Sequence, residues 1–341
     1  MTSLPLHLLA TPPSDAAIAI GLPIDTAAHG TCLIAAAHLA IALHHQQGGL
    51  PVRPVWCDDH RSADGGRVAA AHLADRGIRY VIGHFSSRAA MTAAPIYADA
   101  GIVFLAPGAS APALTESPAP STVLRLFGRD DTQANAIVQM LQRLESTPDI
   151  EIYVEDNRYG HSLGAHLEAA LAHADMTAHI MSGRDEGDVR SIRTGPVVLA
   201  GTREFSARLL QRLDRTRLRI AGDDAYHAAF LVEAGPAADG VLIPVIKPPA
   251  EHGIAADLDA AYRTLIGRAP GAYFPTSYVA VDLLLRVLRR LGDCGGMRAA
   301  ACLRGQSWST LLGELSFTPS GEVTGLSWRT ARIAQRQFIV T

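Results

Sequence analysis

A chain of 341 residues is too long for one compact core of ordinary size, so two domains are expected. With 48% hydrophobic and 18% charged residues it reads as a well-buried globular protein, which leaves disorder to the termini. A net charge of −3, with acidic and basic residues interspersed, offers neither a basic face for nucleic acid nor a polybasic membrane patch. No run approaches the ~20 apolar residues that span a bilayer. Residues 4–10 form a faint apolar patch without a Lys/Arg n-region, so no export signal is visible. Either Met1 is a native cytoplasmic start or a signal peptide has been removed. The four cysteines, Cys32, Cys57, Cys294 and Cys302, show neither C-x-x-C nor zinc spacing, so no metal or other cofactor is expected. Cys294 and Cys302 can pair in an oxidising compartment, with four free thiols as the default.

Residues 17–22 (AIAIGL) read as a first strand and 31–44 (TCLIAAAHLAIALH) as a helix, buried because its apolar residues wrap most of its circumference. Residues 51–57 form a second strand, ending at Asp58-Asp59, and 63–76 a helix closed by Gly77. With no further acid or histidine at fixed spacing, Asp58-Asp59 reads as a polar strand end rather than a catalytic dyad. Strand 80–83 then stops at His84-Phe85-Ser86-Ser87, and after a helix, strand 102–106 stops at Pro107-Gly108-Ala109-Ser110. This alternation makes one doubly wound domain. In a parallel sheet the carboxyl ends of neighbouring strands open on one crevice, where ligands bind. Ser87 starts the next helix, where its hydroxyl and the unbonded N–H groups of the first turn can hold an anion, with Ser110 adding a donor. The plainer reading of Ser87 is a helix cap worth about 1 kcal/mol. Pro107-Gly108-Ala109-Ser110 is likewise first of all a turn. Spacing alone leaves both readings open.

After Ser121 the pattern restarts. Strand 123–127 leads into Gly128-Arg129-Asp130-Asp131, then helix 132–144, strand 150–154, Asp156-Asn157-Arg158-Tyr159-Gly160 and helix 162–174. Strand 196–200 stops at Gly201-Thr202-Arg203-Glu204 before helix 205–213, and strand 218–221 ends at Gly222-Asp223-Asp224. Strand 241–245 is broken by Lys247-Pro248-Pro249. Helix 253–266 then presents Ile254, Leu258, Ala261, Tyr262 and Leu265 on one face, followed by an apolar helix over 276–291.

YVIGHFSS, APIYADAGI and APGASAPALTE resemble the corresponding segment of the Leu/Ile/Val-binding protein family, the type I periplasmic substrate-binding proteins of ABC transporters. The likeness continues through most of the chain and is most specific over 80–115. It implies an α/β protein of two Rossmann-like, doubly wound domains joined by three crossovers, with a ligand cleft between them and closure about a hinge. The lobes are placed at 1–125 with 250–316 and at 126–249 with 317–341. The crossovers fall near 124–126, 247–250 and 316–321, and 311–317 with 326–340 resemble the closing hairpin. The resemblance further implies an amino-acid-like ligand. Ser87, Ser110 and the backbone of Gly108, Ala109 and Ser110 would take its carboxylate and part of its α-ammonium group, and Asp224 the rest of the ammonium. Tyr159 and Tyr273 would form walls, and a one-residue slip would exchange Asp224 with Asp223. His29 and Thr202 stand where the family commonly has aromatic residues, so the lining departs from its pattern. A disulfide frequent in the family falls at Arg61 and Ser86 here and is absent.

G-x-G-x-x-G, P-loop lysine, G-x-S-x-G and H-E-x-x-H motifs are all missing from supporting contexts. An enzyme using the crevice for amide hydrolysis or group transfer is the disfavoured reading, since no nucleophile lies beside a base. The expected function is a monomeric, non-enzymatic solute-binding protein, periplasmic by resemblance, that delivers its ligand to an ABC permease and neither inserts in membrane nor binds nucleic acid. The alternative is a non-transport sensor similar to the cytosolic amide-binding regulators, which the missing signal peptide and disulfide favour.

Overall fold

The structure, a computed structural model, describes residues 17–25, 30–116, 122–143, 149–182, 194–249 and 253–341. The chain forms two compact units, Met1–Phe127 with Pro248–Leu326 and Gly128–Lys247 with Ser327–Thr341, so it passes from one to the other three times.

In the first unit, β1 (Ile18–Ile24), α1 (Gly30–Gln46), β2 (Val52–Asp58), α2 (Ala63–Asp75), β3 (Tyr80–Ile82), α3 (Ser87–Asp99), β4 (Val103–Ala106) and β5 (Val123–Arg125) alternate. The strands form one parallel sheet in the order β2-β1-β3-β4-β5. Every residue of β3, β4 and β5 is buried, which is why they read as short apolar runs without alternation. Helix α2 lies close on α3 because Gly66 has no side chain: a Cβ there would sit 2.4 Å from the Ala89 carbonyl oxygen. The strand order reverses between β1 and β3, and in such sheets ligands gather where the chain leaves the strands at that reversal. The β3 exit carries His84 to Ser87.

In the second unit the strands beyond α4 (Asp130–Gln142) are β6 (Ile150–Val154), β7 (Ala178–Ser182), β8 (Val197–Ala200), β9 (Arg219–Ala221) and β10 (Leu242–Ile246). They alternate with α5 (Arg158–His173), α6 (Arg203–Leu210) and the short α7 (Ala228–Glu233). The first unit is completed by α8 (Ile254–Ile266), α9 (Tyr273–Leu291), α10 (Gly296–Arg304), β11 (Trp308–Thr310), β12 (Gly313–Phe317) and β13 (Val323–Thr324). The long α9 packs against α1. Finally β14 (Trp328–Ala334) and β15 (Gln337–Val340) close the second sheet, ordered β15-β14-β10-β9-β8-β6-β7. Its first five strands in chain order run parallel, and β14 and β15 are antiparallel to their neighbours.

The C-terminal segment differs from the expected single hairpin. Strands β12 and β13 pair around the 318–322 turn inside the first unit, and β14 and β15 pair inside the second. The third crossing therefore falls at Leu326/Ser327 and not within 316–321. The cause is local: the Gly321 carbonyl accepts the Arg125 N–H at 2.8 Å and Glu322 pairs with the Arg125 side chain, which fastens this turn to β5. Among the described residues no helix is long and apolar enough to cross a membrane, and no cluster of three or more His, Cys, Asp or Glu side chains can hold a metal. Cys32, Cys57, Cys294 and Cys302 are free thiols.

Candidate functional site

The β3 exit is held from beneath. His84 has φ +52°, a left-handed conformation that a non-glycine residue adopts only when its surroundings compel it. Its ring is fully buried, with Nδ1 2.8 Å from Asp59 Oδ2 and Nε2 2.9 Å from the Tyr97 hydroxyl. Asp59 also accepts the Arg61 N–H at 2.9 Å. Burial alone would raise the Asp59 pKa, but the hydrogen bond and charge of His84, with the Arg61 N–H, outweigh it and hold the carboxyl below its ordinary value. An ionised carboxylate only accepts, so His84 carries its proton on Nδ1. Asp59 is thus a buried anchor for the loop, 25 residues upstream of it in sequence.

Ser86 occupies the cap position of α3, yet its side chain makes no capping bond and donates to the Arg61 carbonyl at 3.3 Å. Ser87 Oγ accepts two N–H groups, from Ser110 and Ala111, both at 3.1 Å. A hydroxyl has two lone pairs and one proton; both lone pairs are spent on the neighbouring loop, and no described residue accepts the proton. Ser87 is therefore a tie between the two strand-end loops and a donor aimed elsewhere. The Ser110 N–H, expected to grip a carboxylate, is committed to Ser87, while the Ser110 side chain stays half-buried.

Tyr273 is sandwiched between two rings. Phe85 stacks on one side at 5.2 Å between centroids and Phe127 on the other at 5.1 Å, with interplanar angles of 27° and 28°. The Thr276 hydroxyl donates to the Pro107 carbonyl at 2.7 Å and so pins the start of α9 to the same loop. Gly108 fits beneath the stack: a Cβ there would meet the Phe85 ring at 2.4 Å. Gly108→Ala is accordingly expected to cost about 1–3 kcal/mol through displacement of Phe85. Chemical denaturation checks it, and an unchanged midpoint would mean that the ring moves freely. Of these residues Phe85 and Phe127 were not singled out from the sequence, although both sit in motifs that were.

In the second unit Tyr159, Thr202 and Asp224 lie at the exits of β6, β8 and β9. Tyr159 donates its hydroxyl proton to Asp223 Oδ1 at 2.8 Å, with Gln133 Oε1 at 3.2 Å. Gly222 leaves room for that hydroxyl, which would lie 2.8 Å from a Cβ there. Asp223 and Asp224 are both buried. Burial pushes the Asp223 carboxyl up to about 7, against the Tyr159 and Gln133 hydrogen bonds and helped by the charges of Asp224 and Asp130. Asp224 Oδ2 accepts the Arg203 N–H at 2.7 Å. Thr202 caps α6 by accepting the Phe205 N–H at 3.4 Å, and its own hydroxyl donates to Glu155 Oε1 at 3.0 Å. Its hydroxyl is used locally. His29 lies outside the described residues.

Residues 25–185 match the family described as Periplasmic binding protein. The Leu/Ile/Val-binding protein homolog 1 of Brucella suis biovar 1 (strain 1330) is 25% identical over 327 residues, covering 91% of this chain and 88% of that one. The crystal structure of leucine binding protein LivK from Thermotoga maritima MSB8 matches with a TM-score of 0.84 at 17% identity, covering 95% of this chain and 97% of that one. The solute binding protein of an ABC transporter from Rhodopseudomonas palustris BisB5, in complex with 3,4-dihydroxy benzoic acid, matches with a TM-score of 0.80 at 16% identity and covers 95% and 96%. The fold is that of the type I periplasmic binding proteins, with two doubly wound domains. Within that class, the resemblance to the Leu/Ile/Val-binding proteins read from residues 80–115 extends over nearly the whole chain.

Proposed function

We propose that this chain is the solute-binding protein of an ABC importer, acting in the periplasm with a membrane permease as partner, and that its ligand is an amino acid or a close analogue. One observation carries the carboxylate half of this reading: Ser87 Oγ spends both lone pairs on the Ser110 and Ala111 N–H groups, so its remaining proton can only be donated. The first turn of α3, with no side-chain cap from Ser86, adds backbone N–H groups and the positive end of the helix dipole. The Ser110 hydroxyl is a further donor. On the second unit Asp224 takes the ligand's ammonium group, with Tyr159 beside it. On the first, Tyr273 supports the wall that Phe85 presents.

A second reading rests on the Phe85–Tyr273–Phe127 stack. An aromatic carboxylate satisfies the Ser87 donor and the ring wall without any ammonium. A thermal-shift screen against the proteinogenic amino acids, benzoate, hydroxybenzoates and small aliphatic amides separates the readings, because saturation at a hundred times Kd adds about 2.7 kcal/mol. For an amino acid that shifts the protein, Asp224→Ala is expected to weaken binding at least tenfold, since a charge-assisted hydrogen bond contributes about 1.5–3 kcal/mol. Unchanged affinity would remove Asp224 from the site. A shift with benzoates alone moves the ligand to aromatic acids, and a shift with amides alone favours a sensor over a transporter component.

A further inference from the structure

We propose that Arg125 and Glu322 are positioning residues for ligand recognition, acting on the Ser87 hydroxyl through the Ala109–Ser110 peptide. The inference rests on the reading of Ser87 as the carboxylate donor and adds the device that aims it. Arg125 lies in β5, inside an otherwise apolar run, and its side chain is completely buried. Burying a guanidinium is costly unless every donor is satisfied, and here the donors converge on one loop. Nη1 donates to the Ala109 carbonyl at 2.8 Å, and Nη2 to the Pro112 carbonyl at 3.2 Å and to Thr115 Oγ1 at 2.6 Å. Nε donates to Glu322 Oε2 at 3.0 Å, and Thr115 donates its hydroxyl proton to the same oxygen at 2.5 Å, which closes a ring of bonds.

The geometry of the peptide unit turns this clamp into an aiming device. In a planar trans peptide the C=O and the following N–H point in opposite directions. Arg125 draws the Ala109 carbonyl towards β5, so the Ser110 N–H of the same unit points the other way, and it is this N–H that reaches Ser87 Oγ at 3.1 Å. The Ala111 N–H fills the second lone pair, also at 3.1 Å. With both lone pairs fixed in space, the hydroxyl proton has one direction left. Glu322 acts one step further back by fixing the plane of the guanidinium. It does so from the turn between β12 and β13, whose Gly321 carbonyl also holds the Arg125 N–H at 2.8 Å. A purely structural anchor would need only to fill volume at this place, whereas the fork of a guanidinium holds carbonyls in a set orientation.

The test uses the full chain and two conservative variants, Glu322→Gln and Arg125→Lys, so that a folding failure of one leaves the other. Amide hydrogen exchange across 107–111 reads the aiming device without any ligand. Both variants are expected to speed exchange at Ser110 and Ala111 at least fivefold, with β3 and β4 unchanged; unaltered exchange in this segment overturns the proposal. The second arm measures the affinity of whichever amino acid stabilises the protein most in the twenty-member screen, in a cycle of Glu322→Gln with Ser87→Ala. Glu322→Gln is expected to weaken binding about five- to twentyfold in the parent and less than twofold once Ser87 is replaced. Independent, multiplying losses overturn the positioning role while leaving the binding function intact. If no amino acid binds, or Ser87→Ala has no effect on affinity, the proposed function fails, and the exchange arm still decides whether Arg125 and Glu322 hold the loop.

Discussion

Replacement of His84 by alanine is expected to destabilise the first unit by about 3–5 kcal/mol, because it leaves the buried Asp59 carboxylate without its imidazole partner. Asp59 is 1% exposed and would keep the Arg61 N–H while losing the imidazole. Tyr97 would lose its imidazole partner as well, and its own pKa, raised well above the ordinary value by burial and by the charges of Cys57 and Asp59, keeps the buried hydroxyl protonated. A fall in melting temperature on the order of 10 °C follows from the usual ratio for a unit of this size. The pH dependence gives a second reading. The Asp59 carboxyl is held below its unfolded value, so its stabilising contribution is complete above about pH 4 and fades as pH falls through the folded pKa. His84→Ala should therefore flatten the acid limb of the stability curve as well as lower it. A loss under about 1 kcal/mol, with the acid limb unchanged, would show that Asp59 is held by something other than His84.

Asp223→Asn is expected to act in the opposite direction at neutral and alkaline pH. Burial raises this carboxyl from 3.8 to about 7, so the folded protein binds a proton that the unfolded chain has already released. Stability therefore falls as pH rises between those values, and the penalty is complete above about pH 7 and absent below about pH 4. The separation sets a scale of about 4 kcal/mol, of which structural relaxation is expected to leave about 1–3 kcal/mol to be recovered by the amide. Asparagine keeps an acceptor for the Tyr159 hydroxyl, bonded to Asp223 at 2.8 Å, and removes the charge that Asp224 and Asp130 repel. The expected result is a higher denaturation midpoint at pH 8 with little change at pH 4.5. A loss of stability at both values would mean that Asp223 is ionised and favourably paired in the folded state.

The architecture was legible because each parallel strand is a short apolar run ended by a polar stop. For β6 the expected bounds coincide with those in the structure, and for β4 they differ by a single residue at the start. Helices α4 and α5 start earlier than expected. The Asn157 side chain accepts the Gly160 N–H at 2.8 Å, so the polar segment taken for a loop is already the first turn of α5. Strand β7 went unseen: it is a sheet edge in which Ile180 is exposed, so neither alternation nor a continuous apolar run marks it. The β14–β15 hairpin was blurred for another reason. Its turn uses Gln335 and Arg336 at φ +50° and +60°, positions where Asn-Gly would have announced a two-residue turn.

The placement of the Ser87 and Gly108–Ser110 loops and of the Asp223-Asp224 pair at strand ends could be read from the apolar runs that precede them. The supports could not. Asp59 and His84 lie 25 residues apart, and Arg125 and Glu322 lie 197 apart, so only the folded chain brings each pair together. One signal was available for Arg125. An arginine within Val123-Leu124-Arg125-Leu126-Phe127 is a charge that a buried strand must compensate.

The bond from Ser86 to the Arg61 carbonyl, 3.3 Å long, joins the two loops at the positions where the resembling family often carries a disulfide. A hydrogen bond exchanges no electrons. The link between the β2 and β3 exits is consequently indifferent to the redox poise of its surroundings and needs no oxidative maturation step before the two loops reach their final arrangement.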